Sequence, residues 1–174
     1  PLSNLDAKLR IDMRSEIKRL HHEMGTTIVY VTHDQVEALT MSTRIAIFFE
    51  GELEQVAAPM DLYQNPVSLR VADFIGNPRI NFVEGQARRD DNGGLVVTSP
   101  LGRMEFTQDR LTDELPAQNG FDVVLGIRPE KIGIHCQEGD GIPASVYATQ
   151  PAGSETTIHL KMTDDSVVLA KEMG

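Results

Sequence analysis

The chain is short of cysteine, of positive charge and of long apolar runs, and each shortage narrows what it can be. Its single cysteine, Cys136, leaves no partner for an internal disulfide in 174 residues, which accords with a reducing compartment. No stretch approaches the roughly 18 consecutive apolar residues that a membrane helix requires. Only 16 Lys and Arg stand against 26 Asp and Glu, a formal charge of −10. The acidic excess is uneven: residues 1–82 hold 8 basic and 11 acidic side chains, residues 83–174 hold 8 and 15. Such a balance argues against a nucleic-acid surface, which needs a basic footprint to displace counterions, and against docking on anionic lipid. No G-x-x-x-x-G-K-[ST] phosphate-binding loop occurs in the chain, which starts at Pro1 rather than Met. Internal repeats and low-complexity runs are also missing.

What is present falls into two patterns. Leu5, Leu9, Met13, Ile17, Leu20 and Met24 recur every three or four residues and predict a helix with one apolar stripe. Asn4 or Asp6 can cap its start and Gly25 its end. Thr26 to Thr32 read as a buried, β-branched strand, and Asp34 to Met41 as a short helix with a favourable negative charge at its N-terminus. Arg44 to Phe49 and Leu53 to Val56 read as strands joined by the Glu50-Gly51-Glu52 turn. Two short helices follow, over Pro59 to Tyr63 and Ser68 to Ile75. This alternation predicts an α/β layer.

The pattern changes near Gly76-Asn77-Pro78. From Phe82 onwards, short strands are separated by turn clusters at Asp91-Asn92-Gly93-Gly94, Ser99-Pro100-Leu101-Gly102, Gly139-Asp140-Gly141 and Thr163-Asp164-Asp165. That spacing predicts a small β-barrel or sandwich. A boundary at about residues 76–82 divides an α/β part, residues 1–78, from an all-β part, residues 79–174.

His33 is the sharpest candidate for chemistry, because α/β sheets place reactive side chains where strands stop beside a nucleotide. On its own, Thr32-His33-Asp34 would read as structural. His21 and His22 lie among charged neighbours on the first helix and read as solvated. His135 and His159 have no companions at metal-ligand spacing, and no metal site is expected. Glu37 and Asp61 read as surface charges.

Two sets of residues give His33 a context. Ser3-Asn4-Leu5-Asp6, followed some thirty residues on by Val29-Tyr30-Val31-Thr32-His33-Asp34-Gln35, resembles the second half of the ATPase core of ABC transporters, a P-loop NTPase fold. Phe74-Ile75-Gly76-Asn77-Pro78-Arg79-Ile80-Asn81-Phe82 and Gly126-Ile127-Arg128-Pro129-Glu130 resemble the junction and a turn of the OB-like (TOBE) regulatory domain in the sugar-importer branch. Gly153-Ser154-Glu155-Thr156 opens a strand that also fits, so the likeness runs to about residue 162. It is greatest to subunits that drive uptake of maltose, other oligosaccharides and glycerol-3-phosphate.

The resemblance implies that His33 is the switch histidine that meets the γ-phosphate of ATP. Ser3, Asn4 and Asp6 would form the D-loop, which crosses a dimer interface towards the partner's phosphate loop. Arg128 and Glu130 are expected to shape a loop through a buried or local salt bridge rather than to touch a ligand. The implied protein is an ATP hydrolase using ATP and Mg²⁺, a homodimer or paired with a second ATPase subunit, held at the inner face of the cell membrane by permease subunits, and served indirectly by a periplasmic or extracellular solute-binding protein. The family's catalytic glutamate would directly precede Pro1. The 174 residues alone are thus expected to bind no nucleotide and to be catalytically incompetent. The β part stops at Gly174, where the family continues with more strands, and is expected to be unclosed with an open edge. A rival reading is a non-enzymatic β module that binds a regulator, a small ligand or another protein. An oligonucleotide-binding OB fold is disfavoured, because basic and aromatic residues do not interleave on its strands.

Overall fold

The computed structural model describes residues 7–111, 115–116, 119–135 and 141–174. The chain divides into two units, Pro1–Gly76 and Asn77–Gly174. The turn cluster expected at Gly139-Asp140-Gly141 lies largely outside the described residues, as does Cys136.

In the first unit, helix α1 (Ala7–Met24) ends at Gly25, whose φ of +59° suits a residue without Cβ and whose amide donates to His21 O at 3.1 Å. Arg19 donates to Glu16 and Glu23 one turn either way, and this hydrogen bond, then the Arg19 charge, hold the Glu16 carboxyl below its ordinary range. The apolar stripe is not buried: Leu9, Leu20 and Met24 remain exposed. The expected strand over Thr26–Thr32 does not form. No strand pairs with the segment among the described residues, and Val29 and Val31 are 87% and 81% exposed. β-Branched residues favour an extended backbone, yet a strand exists only where a neighbour takes its amides and carbonyls. The only sheet described here is an antiparallel hairpin of β1 (Ile45–Phe49) and β2 (Glu52–Ala57), so the α/β layer is limited to helices around that hairpin.

The hairpin follows from its turn. Glu50 and Gly51 both have positive φ, +54° and +88°, as a two-residue turn matched to strand twist demands. Ile45 and Ile47 point to one face, where Leu62 of α3 (Pro59–Gln64) and Val71 and Ile75 at α4 (Leu69–Phe74) complete a core. Phe49 meets Phe74 edge-on at 5.6 Å, and the Arg70 guanidinium lies 4.1 Å over the Phe49 ring. Ser68 caps α4: its hydroxyl accepts from Val71 N at 3.3 Å and donates to Glu54 at 2.8 Å. Ser68→Ala is expected to cost about 1 kcal/mol, read as a lower denaturation midpoint; an unchanged midpoint would mean water replaces the cap.

The second unit is built of antiparallel strands. One sheet has the order β5-β4-β3-β6, from β3 (Asn81–Arg89), β4 (Leu95–Ser99), β5 (Gly102–Phe106) and β6 (Phe121–Ile127). The other has the order β7-β8-β9, from β7 (Ala144–Pro151), β8 (Glu155–Met162) and β9 (Val167–Met173). The β3–β4 turn depends on Gly94, where a Cβ would sit 2.5 Å from Phe106 O and 2.7 Å from an Asp90 oxygen. Asp90 closes this turn by accepting from the amides of Asn92 and Gly94. Ala87, Leu95, Val97 and Phe121 form one core, and Val83, Met162 and Val168 a second that joins the two sheets. Asn81 adds a polar stitch between them. Its amide donates to Ile127 O at 3.1 Å and Leu169 O at 2.8 Å, and its oxygen accepts from Leu169 N at 2.7 Å. The outer strand β7 is exposed along nearly its whole length, Val146 and Tyr147 included.

Candidate functional site

His33 sits at the bend between residues 26–32 and helix α2 (Gln35–Met41), and is exposed. Its neighbours on both sides are held. Asp34 caps α2, its Oδ1 accepting from Val36 N at 2.8 Å and Glu37 N at 3.2 Å. The Asp34 amide donates to Thr32 Oγ1 at 3.0 Å. That hydroxyl in turn donates to Glu37 Oε2 at 2.7 Å. Tyr30, two residues earlier, donates its phenol to the same oxygen at 3.0 Å. Arg14 reaches across from α1, 3.5 Å from Asp34 Oδ2 and 3.8 Å from Glu37 Oε1. Lys18, one turn on, donates to Thr40 O at 3.2 Å.

Glu37 is therefore not the surface charge its residue type suggests. It is 2% exposed, and a carboxylate so deep must have donors and a counter-charge. Three groups supply them: two hydroxyls and the Arg14 guanidinium. Sequence reasoning missed Glu37 although two signals exist. It lies three residues after the cap Asp34, and Tyr30 and Thr32 are spaced to face one side. Asp61, by contrast, is exposed.

Gln35, next but one after His33, uses both ends of its amide. It donates to Phe74 O and accepts from Gly76 N at 2.9 Å, tying the start of α2 to the last residues of the first unit. Ser3, Asn4 and Asp6 lie outside the described residues. Arg128 and Glu130 belong to the second unit. Arg128 is 8% exposed and precedes a tight turn, Pro129–Lys131, that packs on β9, with Pro129 wholly buried. Glu130 is exposed. That unit also has a groove of about 630 Å³ whose lining includes Glu84, Gln86, Thr98, Ser99 and Asp122. Two carboxylates in its wall make it a poor place for a phosphate.

Residues 76–132 match the MalK OB fold domain and residues 125–172 match the TOBE domain. The chain is 44% identical over 164 residues to the sulfoquinovosyl glycerol transport ATP-binding protein SmoE of Agrobacterium fabrum, an alignment that covers 94% of this chain and 44% of that protein. It is 42% identical over 166 residues to the xylose/arabinose import ATP-binding protein XacK of Haloferax volcanii, covering 94% of this chain and 41% of the relative. With the ABC transporter ATP-binding protein y4oS of Sinorhizobium fredii the identity is 44% over 170 residues, 97% of this chain and 43% of the other. The chain thus spans less than half the length of these relatives. Over almost all of its own length it is homologous to ABC transporter ATP-binding proteins, and its second unit carries the OB and TOBE domains found in the sugar-importer branch.

Proposed function

We propose, for a chain homologous to part of the ATP-binding proteins of ABC transporters, that it belongs to the subunit that hydrolyses ATP to power import of a sugar or related solute. One observation carries the reading: an exposed histidine at a bend just before helix α2, its flanks fixed by a buried network, in the part of the chain that aligns with these relatives. The first unit is then the later part of a P-loop ATPase core. His33 would hydrogen-bond the terminal phosphate of ATP and the attacking water, and so sense whether that phosphate is present. Ser3, Asn4 and Asp6 would lie at the interface with a second ATPase subunit. Mg²⁺, arriving with the nucleotide, would spread the phosphate charge, and no residue of this chain is assigned to hold it. Catalysis in such a site is mostly positioning and electrostatic stabilisation. The OB and TOBE unit would regulate. No helix among the described residues is long and apolar enough to cross a membrane. The subunit would work at the inner face of a membrane, docked on separate permease subunits.

The purified full-length protein is expected to release phosphate from Mg-ATP, faster when reconstituted with its permease subunits and the loaded solute-binding protein. A polypeptide of these 174 residues, without a G-x-x-x-x-G-K-[ST] loop, is expected to release none above the buffer blank. A saturable rate from the short polypeptide that survives repurification would overturn the assignment of the phosphate cradle. A full-length protein with no hydrolysis under any of these conditions would leave the regulatory β module as the better reading.

A further inference from the structure

The groups around Glu37 do something a mere helix start does not need. In an Asp-x-x-Glu start, the glutamate ordinarily turns back to the amide of the capping residue. Here that amide, Asp34 N, is taken by the Thr32 hydroxyl, and Glu37 accepts the proton of the same hydroxyl. Thr32 Oγ1 therefore couples the backbone just after His33 to a buried carboxylate. The Tyr30 phenol loads the same oxygen, and Arg14 spans Asp34 and Glu37. A buried charge contributes little net stability compared with an apolar residue of its size, because desolvation offsets the pairing. What the arrangement does supply is geometry. The two residues flanking His33 are joined through one hydroxyl, and that hydroxyl is pinned to a side chain that is 2% exposed.

We infer that Glu37 is a positioning residue for His33: by fixing Thr32 and Asp34 through this network, with Arg14 as its counter-charge, it holds the imidazole where a terminal phosphate can meet it. The inference rests on the proposed role of His33 in hydrolysis. Glu37, 2% exposed and bonded to Tyr30 and Thr32, acts through the bend. Thr32 and Tyr30 share the role, and Arg14 links the bend to α1.

The test uses the full-length protein and compares His33→Ala, Glu37→Ala, Glu37→Gln, Thr32→Val and the double variants of each with His33→Ala. Glu37→Ala and Thr32→Val are each expected to lower kcat by about tenfold or more while KM for ATP stays within about threefold. Glu37→Gln, which keeps an acceptor oxygen at the same place, is expected to lose less than Glu37→Ala. Added to His33→Ala, none of them should slow the reaction further, because a residue that acts through the imidazole has nothing left to position. Thr32→Val is close to isosteric and decides the matter if Glu37→Ala fails to fold. Near-normal kcat in folded Thr32→Val and Glu37→Ala, or losses that multiply with that of His33→Ala, would overturn the inference while leaving His33 in place. A normal rate in His33→Ala itself would instead remove the reading on which it stands.

Discussion

Replacing His33 by alanine in the full-length protein is expected to slow ATP hydrolysis several hundredfold and to leave nucleotide binding almost unchanged. A loss of that size is about 3–4 kcal/mol of transition-state stabilisation. The reason for the split is contact area. A phosphate loop grips most of a nucleotide, whereas a switch histidine reaches only the last phosphate, where charge is redistributed as the bond breaks. The structure favours a clean result, since the side chain is exposed and its removal leaves the Thr32, Asp34 and Glu37 hydrogen bonds in place. Steady-state phosphate release and calorimetric titration with a non-hydrolysable nucleotide separate the two quantities. Turnover close to that of the parent would make His33 a structural residue at a helix start.

The second large effect is expected at Asn81. Removing its side chain by Asn81→Ala deletes three hydrogen bonds at a position only 8% exposed, and strands the amide and carbonyl of Leu169 beside it. Three bonds at about 1 kcal/mol net each give an expected loss of about 3 kcal/mol, and more wherever a stranded Leu169 group stays away from water. Asn81→Asp should fare no better. It keeps the acceptor for Leu169 N but turns a carboxylate oxygen towards two carbonyls. Denaturant unfolding followed by the β-sheet circular dichroism signal, with amide exchange at Leu169 as the local probe, measures both. A change under about 1 kcal/mol would mean that the Val83, Met162 and Val168 contacts hold the sheets together without the stitch.

Much of the fold was legible because it is locally encoded. The three-and-four spacing of α1, its Gly25 stop, the Asp34 cap, the Glu50-Gly51 turn and the punctuation between the strands of the second unit each depend on neighbours within a few residues. What was misread depends on partners far along the chain or beyond it. Thr26–Thr32 has every propensity of a strand, but propensity does not provide the second strand. The stripe on α1 predicts an apolar face and cannot say what covers it. Glu37 read as surface because isolated glutamates prefer water; its burial is decided by a phenol, a hydroxyl and a guanidinium that converge only in three dimensions. Asn81 and Leu169 are 88 residues apart, a pairing no local pattern announces. For the candidate site, His33 stood out in the sequence, but the network that surrounds it did not.

The bond between Tyr30 and Glu37 also gives the chain an optical signature. There is no tryptophan among the 174 residues and only three tyrosines, so near-ultraviolet emission comes from phenols alone, with no indole to drain their excitation. A phenol that donates to a carboxylate is expected to emit more weakly than one that faces water. Tyr30 is built that way, whereas Tyr147 is 70% exposed on an outer strand. Loosening the bend around His33 is therefore expected to raise the tyrosine emission, and a Glu37→Ala variant as dim as the parent would show that this bond leaves no optical trace.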